Sequence, residues 1–237
     1  MSRSIAVLTA HLIAIAILLQ FHPAVAETME VAPGVRVTRK SFPAPANEAP
    51  FYGFVDKSPT LRQADEVFVS IAIDAYGSRE RAFDVVATRG WRAIAADDMV
   101  EAANRFNQAS LLSPEQSQIF HGFAIVASAR FNDPEFAEEL FEIARKQPRA
   151  LKSLNADYGR LLLVAKRPKD AEPVLEQAVK DTPTFGNAWS NLGIARLQNG
   201  NPGGACLAAD RADRLQNAAN VNMDIKWIWH EAQCSGH

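Results

Sequence analysis

Alanine recurs along this chain at an almost fixed step: Ala102, Ala137, Ala171 and Ala205 stand 35, 34 and 34 residues apart. Four residues after each comes Phe106, Phe141, Leu175 or Ala209, and seven after each comes Ala109, Ala144, Ala178 or Ala212. Spacings of three and four put these positions on one face of a helix, and alanine at two of the three lets a neighbouring helix approach closely. The large residue between them fills the remaining gap. A fixed period of roughly 20 to 50 residues with this alternation marks a stacked array, in which no unit buries its face alone.

One unit reads as an antiparallel helix pair. Pro114, Pro148 and Pro183 close three of the units. Ser113 before Pro114, with Gln116 following, reads as a helix N-cap with a first-turn proline and a capping box, and Asp133-Pro134 repeats the device. The first helix of the last unit carries Trp189, Leu192 and Gly193 at the spacing W-x2-L-G, then Gly200 and Ala205, with Asn217 in the place of a closing proline. The third unit keeps Tyr158-Gly159, Ala171, Leu175, Ala178 and Pro183, and the first keeps Gly90 and the later positions. The second has Phe120, Phe123 and Ala124 in place of tryptophan, leucine and glycine, and one extra residue before Ala137.

On these residues the chain resembles the tetratricopeptide repeat (TPR) proteins, whose pattern is W-x2-L-G…A-x3-F…P. The competing reading is an unrelated bundle of amphipathic helices, which four units in register argue against. The resemblance implies an all-α, right-handed α-solenoid of about four helix pairs with N- and C-terminal capping helices. The array spans 83–217, in units of about 83–116, 117–151, 152–185 and 186–217. Upstream, 60–82 reads as an N-terminal capping region, because Ala64-x3-Phe68-x2-Ile71 copies a second-helix face without a matching first helix. Downstream, 218–237 holds a capping helix from Met223 to Gln233 and a tail.

The resemblance also implies a groove lined by the first helices. By register its candidate partner-binding positions are Asp84 and Trp91 in the first unit, Gln118 and His121 in the second, Arg160 in the third, and Asn187 and Ser190 in the fourth. Repeat proteins that grip a C-terminal carboxylate place lysine, asparagine and arginine at fixed groove positions, and here Ala87, Trp91, Gly122, Ser153 and Asp157 occupy those places. That argues against such a clamp. Arg160 is the candidate for an anionic group, with pairing to Asp157 as its plainer alternative, and Trp91 reads equally as core.

The first 26 residues read as a secretory signal peptide. Arg3 precedes an apolar run from Ile5 to Leu19, followed by Pro23 and Ala24-Val25-Ala26, an A-x-A site that places cleavage between Ala26 and Glu27. About fifteen residues is short for a spanning helix, which needs about twenty. An uncleaved membrane anchor is the alternative, and the polar His11 inside the run disfavours it. The reading implies an exported protein, periplasmic in a Gram-negative bacterium and otherwise secreted, with no stable membrane anchor after cleavage. Residues 27–59 carry Pro33, Pro43, Pro45, Pro50 and Pro59, so this Pro-rich segment is expected to be extended rather than helical. Phe42, Phe51, Tyr52 and Phe54 are unusual for a solvated spacer, leaving a linker and a segment docked on the array both open.

Both cysteines lie near the C-terminal end. If the last helices fold back through the Asn217 to Asn222 turn, Cys206 and Cys234 meet, and in an oxidising compartment they form a disulfide. A metal site is the alternative, since His230 precedes Cys234 by four residues and His237 is near. No G-x-S-x-G, H-E-x-x-H or P-loop spacing occurs, so no catalytic, cofactor-binding or metal residue is assigned. Net charge is −2 and no basic patch is visible, which argues against nucleic acid. The expected function is that of an exported adaptor or scaffold binding an envelope or secreted protein or peptide. The alternative is a small-ligand-binding or enzyme-like envelope protein built on the repeats.

Overall fold

The computed structural model describes residues 27–215 and 223–236. The expected signal peptide with its Ala26 cleavage residue, the Asn217 to Asn222 turn and His237 lie outside the described residues. Among the described residues ten α-helices run in order after a short hairpin: β1 (Thr28–Ala32), β2 (Val35–Thr38), α1 (Pro59–Tyr76), α2 (Arg79–Ala95), α3 (Met99–Leu112), α4 (Ser117–Phe131), α5 (Pro134–Ala144), α6 (Leu154–Val164), α7 (Pro168–Asp181), α8 (Gly186–Gln198), α9 (Pro202–Leu215) and α10 (Met223–Glu231). Helices α2/α3, α4/α5, α6/α7 and α8/α9 form four stacked antiparallel pairs.

The recurring alanines are buried, as are the residues between them: Phe106, Phe141, Leu175 and, in the last pair, Ala209. What faces them is small. A methyl group at Gly90 would lie 2.9 Å from the Phe106 ring, and one at Gly122 would lie 2.3 Å from the same ring. At Gly159 it would meet Leu175 at 2.4 Å. Phe106 is thus seated between the first helix of its own unit and the first helix of the next, which couples adjacent units through one ring.

Short polar caps start several helices. Ser58, Ser78, Asp98 and Asp133 accept the N–H three residues on, at the starts of α1, α2, α3 and α5. Ser113 does not cap α4, which begins at Ser117. That start is set by the following connection instead: Ser117 N–H donates to the Pro148 carbonyl at 3.0 Å and its hydroxyl to the Ala144 carbonyl at 2.7 Å. The Ser113 hydroxyl donates to Glu115 Oε1 at 3.0 Å.

The proline-rich segment is neither a spacer nor uniformly extended. Residues 28–38 make an antiparallel hairpin, a short 3₁₀ turn follows at Ala46–Glu48 and a left-handed turn at Pro50–Phe54, all laid across α3, α4 and α5. Phe42 packs against Phe131 and Phe136 with centroids at 4.6 and 6.1 Å, and Phe51 against Phe123 at 4.7 Å. Thr38 N–H donates to Glu139 at 2.7 Å, Lys40 pairs with Asp133 at 2.8 Å, and Arg130 with Glu48 at 2.6 Å.

Phe51, Tyr52, Gly53 and Phe54 all have positive φ, at 53°, 53°, 63° and 58°. Three L-residues in the left-handed region cost about 1–3 kcal/mol each. The buried Asn107 holds them there. Its Oδ1 accepts the Tyr52 N–H at 2.9 Å, while its Nδ2 donates to the carbonyls of Asn47 at 3.0 Å and Ala49 at 2.8 Å. The turn also drives Phe51 and Phe54 into the aromatic cluster, and their burial offsets the strain.

At the far end, α10 packs on α8 and α9. Cys206 and Cys234 are disulfide-bonded with Cα atoms 5.6 Å apart, and Trp229 Nε1–H donates to Asp210 at 3.0 Å. The bonded Cys234 offers no thiolate to a metal. The nearby His230 is exposed and turns to Glu231.

Candidate functional site

The first helices of successive pairs, α2, α4, α6 and α8, are joined by polar contacts at each step. Trp91 Nε1–H on α2 donates to Gln118 Oε1 on α4 at 2.9 Å. His121 Nε2 on α4 lies 3.0 Å from Asp157 Oδ2 on α6. Arg160 on α6 donates to Asn191 Oδ1 on α8 at 3.4 Å, and Asn191 Nδ2 donates back to the Ala156 carbonyl at 3.4 Å. Most of the predicted groove residues are therefore occupied in holding one repeat to the next.

Two of them do not reach solvent. His121 and Ser190 are buried, where the register expected them to line the groove. A first helix inside the array is covered on its flanks by the helices before and after it and behind by its own partner, so its exposed strip is narrower than the helix period alone suggests. His121 lies beneath Trp91, with ring centroids 4.6 Å apart, and beside Phe141 at 5.5 Å. Trp91 packs edge-on to Phe106 at 5.2 Å, so it is largely a packing residue with one polar tie. Asp84 is drawn to the connection after α5, where Arg149 pairs with it at 2.7 Å. Asn187 is exposed at the start of α8. Arg160 pairs not with Asp157 but with Asp224, on the first turn of α10, at 3.1 Å.

The open part of this face lies one helical turn further along. Ile94, Ile125 and Val164 follow Trp91, His121 and Arg160 by three or four residues, and with Leu161 they floor a cavity of ≈ 300 Å³ between α2, α4 and α6. Asp157 and Arg160 stand at its rim. Val164 is 69% exposed. Stepping the tryptophan, histidine and arginine positions forward by one turn would have found this floor in the sequence. The cavity combines apolar area with one carboxylate and one guanidinium. That suits capture of an apolar side chain whose flank is polar or charged.

The geometry defines a class: stacked helix pairs, alanine and glycine at the pair interfaces and a face built by the first helices constitute the tetratricopeptide-repeat fold. No protein-family model matches the chain, and no curated protein matches its sequence. Among solved structures it is similar to Pseudomonas aeruginosa pilF, at 22% identity over 65% of this chain and 71% of that one, with a TM-score of 0.57. PilW, described as a widely conserved type IV pilus biogenesis factor, aligns at 18% identity over 72% of this chain and 86% of its own, TM-score 0.52. The Cut9–Hcn1 hetero-tetramer of the APC/C gives 15% identity over 72% of this chain and 36% of that one, TM-score 0.53. These are likenesses of fold.

Proposed function

We propose that this chain is an exported repeat scaffold that binds another envelope protein or peptide through the face built by α2, α4 and α6, in a binding rather than a catalytic role. The observation that carries the reading is the cavity of ≈ 300 Å³ floored by Ile94, Ile125, Leu161 and Val164 and edged by Asp157 and Arg160. A concavity floored by the exposed Val164, the half-buried Ile94 and Ile125 and the buried Leu161, with charged groups beside it to orient what enters, has the apolar-with-few-polar-groups make-up of a binding pocket. Export is supported by the charged, apolar and A-x-A order of the first 26 residues. Likeness of fold to a type IV pilus biogenesis factor makes the envelope the compartment in which to look.

The test is affinity capture from envelope extract with the protein and with Val164→Asp/Arg160→Glu. Val164 and Arg160 are both exposed, but Arg160 also ties α6 to Asn191 and Asp224, so cooperative melting of the double variant is the control for folding. Loss of a specific band with the variant supports the site, and the same band at equal yield overturns it. Mass spectrometry of the exported protein is expected to find Glu27 at its N-terminus. An intact Met1 in the envelope fraction would count against export by cleavage.

A further inference from the structure

The middle of the array is its loosest step. α3 packs closely on α4 and α7 on α8, and α2 lies against α4 as α6 does against α8, whereas α5 meets α6 sparsely and α4 and α6 hardly touch. The connection there, 145–153, is more than twice as long as 113–116 or 182–185. Phe106 interlocks the first two units between Gly90 and Gly122. At the middle seam Phe141 instead lies flat on Tyr158, with centroids 5.3 Å and planes 17° apart, a stack with no interlock against tilting. Polar ties run beside it: His121 to Asp157 at 3.0 Å, and Glu138, which accepts from the Tyr158 hydroxyl at 3.2 Å and pairs with Arg167. An ion pair as exposed as Glu138–Arg167 holds weakly.

Among the described residues, the pieces outside the repeats each bind one side of this seam. The N-terminal segment holds α4 and α5 through Thr38–Glu139, Lys40–Asp133 and Glu48–Arg130. The C-terminal helix α10 holds α9 and α6 through Cys206–Cys234 and Asp224–Arg160. The connection divides in the same way. Ser117 donates to the Ala144 and Pro148 carbonyls and Asp84 pairs with Arg149, which ties the connection to the first half as far as Arg149. The Thr182 hydroxyl donates to the Lys152 carbonyl at 3.2 Å, which ties it to the second half from Lys152 onward. Ala150 and Leu151 lie between the two anchors.

We propose that Ala150 and Leu151 form a hinge between two packed halves, α1–α5 and α6–α10, and that the cavity at the seam closes on an aliphatic side chain of the bound partner. The cavity floor is divided between the halves: Ile94 and Ile125 come from the first, Leu161 and Val164 from the second. Drawing the halves together therefore wraps an entering side chain from both sides. Hinges of this kind place the change in φ and ψ on a few loop residues between bodies that stay packed. Closure on a partner rests on the function proposed above, whereas the hinge does not.

Distances between pairs of spin labels on the full, disulfide-bonded protein test the hinge. Arg81, Glu135, Lys180 and Gln198 are exposed and take the labels as cysteine variants, with cooperative melting as the control for folding. Arg81→Cys/Glu135→Cys and Lys180→Cys/Gln198→Cys each lie within one half and are expected to give narrow distributions. Arg81→Cys/Lys180→Cys and Glu135→Cys/Gln198→Cys span the seam and are expected to give distributions about twice as wide. Equal widths for all four pairs would overturn the hinge. Closure is read from the order of two steps with Glu135→Cys/Lys169→Cys, both exposed and flanking the seam. Joining them with a short bis-maleimide before envelope extract is added is expected to lower the captured partner about fivefold, and joining them after capture is expected to hold it through a wash that strips the unlinked protein. The same yield in either order would overturn closure and leave the hinge. No capture by the parent protein would overturn the proposed function and closure with it, and the hinge would then stand on the distances alone.

Discussion

Gly122→Ala is the smallest change with a decisive outcome. The new Cβ would lie 2.3, 2.4 and 2.6 Å from three atoms of the Phe106 ring, closer than carbon atoms approach without displacement. The ring has nowhere to go. Its other edge is already held by Gly90, where an added Cβ would sit at 2.9 Å, and Trp91 and Phe123 close its sides with centroids at 5.2 and 6.1 Å. Overpacking of this kind costs about 1–3 kcal/mol. Replacing a mid-helix glycine by alanine returns up to about 1 kcal/mol of helix propensity, and contacts this close fall at the upper end of the overpacking range, leaving a net loss of about 2 kcal/mol. For a chain of this size each kcal/mol moves Tm by about 2–4 °C, so the drop is expected to be several degrees by circular dichroism. Gly203→Ala, in the first turn of α9 with nothing near its Cβ, is the control and is expected to be neutral or slightly stabilising. Adding Phe106→Leu to Gly122→Ala is expected to recover part of the loss. A Gly122→Ala protein as stable as the Gly203→Ala control would refute the seating of Phe106 between two units.

Asn107→Ala removes all three side-chain hydrogen bonds holding the left-handed turn. It is expected to cost about 2–4 kcal/mol and to open residues 40–57 to limited proteolysis, whereas an unchanged digestion pattern would show that the aromatic cluster alone suffices. Non-reducing peptide mapping is expected to recover one peptide pair joining Cys206 to Cys234. Cys206→Ala/Cys234→Ala is expected to lose about 3.5 kcal/mol for the 28-residue separation, and equal denaturant midpoints would contradict this. Burial, then nearby Asp65, pushes the Tyr52 hydroxyl up, and burial with Glu142 and Glu138 does the same for Tyr158. A folded pKa above the unfolded value of about 10 gives stability that is complete below that pH and lost above it. Tm is therefore expected to fall above about pH 10, and less steeply in Tyr158→Phe. A slope identical to that of the parent would exclude Tyr158 as a cause.

The array was legible because its information is local and repeated: each of Ala102, Ala137, Ala171 and Ala205 marks a position where a neighbouring helix must come close, and all four are buried. What escaped the sequence depends on partners distant along the chain. Nothing near Phe51-Tyr52-Gly53-Phe54 announces a left-handed turn, because the group that stabilises it, Asn107, lies 55 residues from Tyr52. Helical period placed His121 and Ser190 on the face of the first helices without revealing that adjacent repeats cover them. Arg160 is exposed on α6, and its partner Asp224 is 64 residues away on α10, where no local pattern points to it. On the N-terminal helix the spacing of Ala64, Phe68 and Ile71 did not foretell burial: Phe68 packs partly buried against the core with Val69 and Tyr76, while Ala64 and Ile71 are exposed.

The laid-over N-terminal segment has a consequence for the order in which this molecule is made. A solenoid whose units touch only their neighbours has low contact order and folds outward from any pair that forms. Here Thr38 bonds to Glu139 across 101 residues, and Glu48 to Arg130 across 82. Closing such a loop costs only about 1.5 kcal/mol more than closing one a fifth as long, so the penalty falls on timing rather than on final stability. Emerging first, Phe42, Phe51 and Phe54 have no surface to bury against until α4 and α5 exist. Over that interval three bare phenylalanines precede a growing chain, and a holdase that shields them until the second unit closes would raise the yield of native protein more than one acting on any later part.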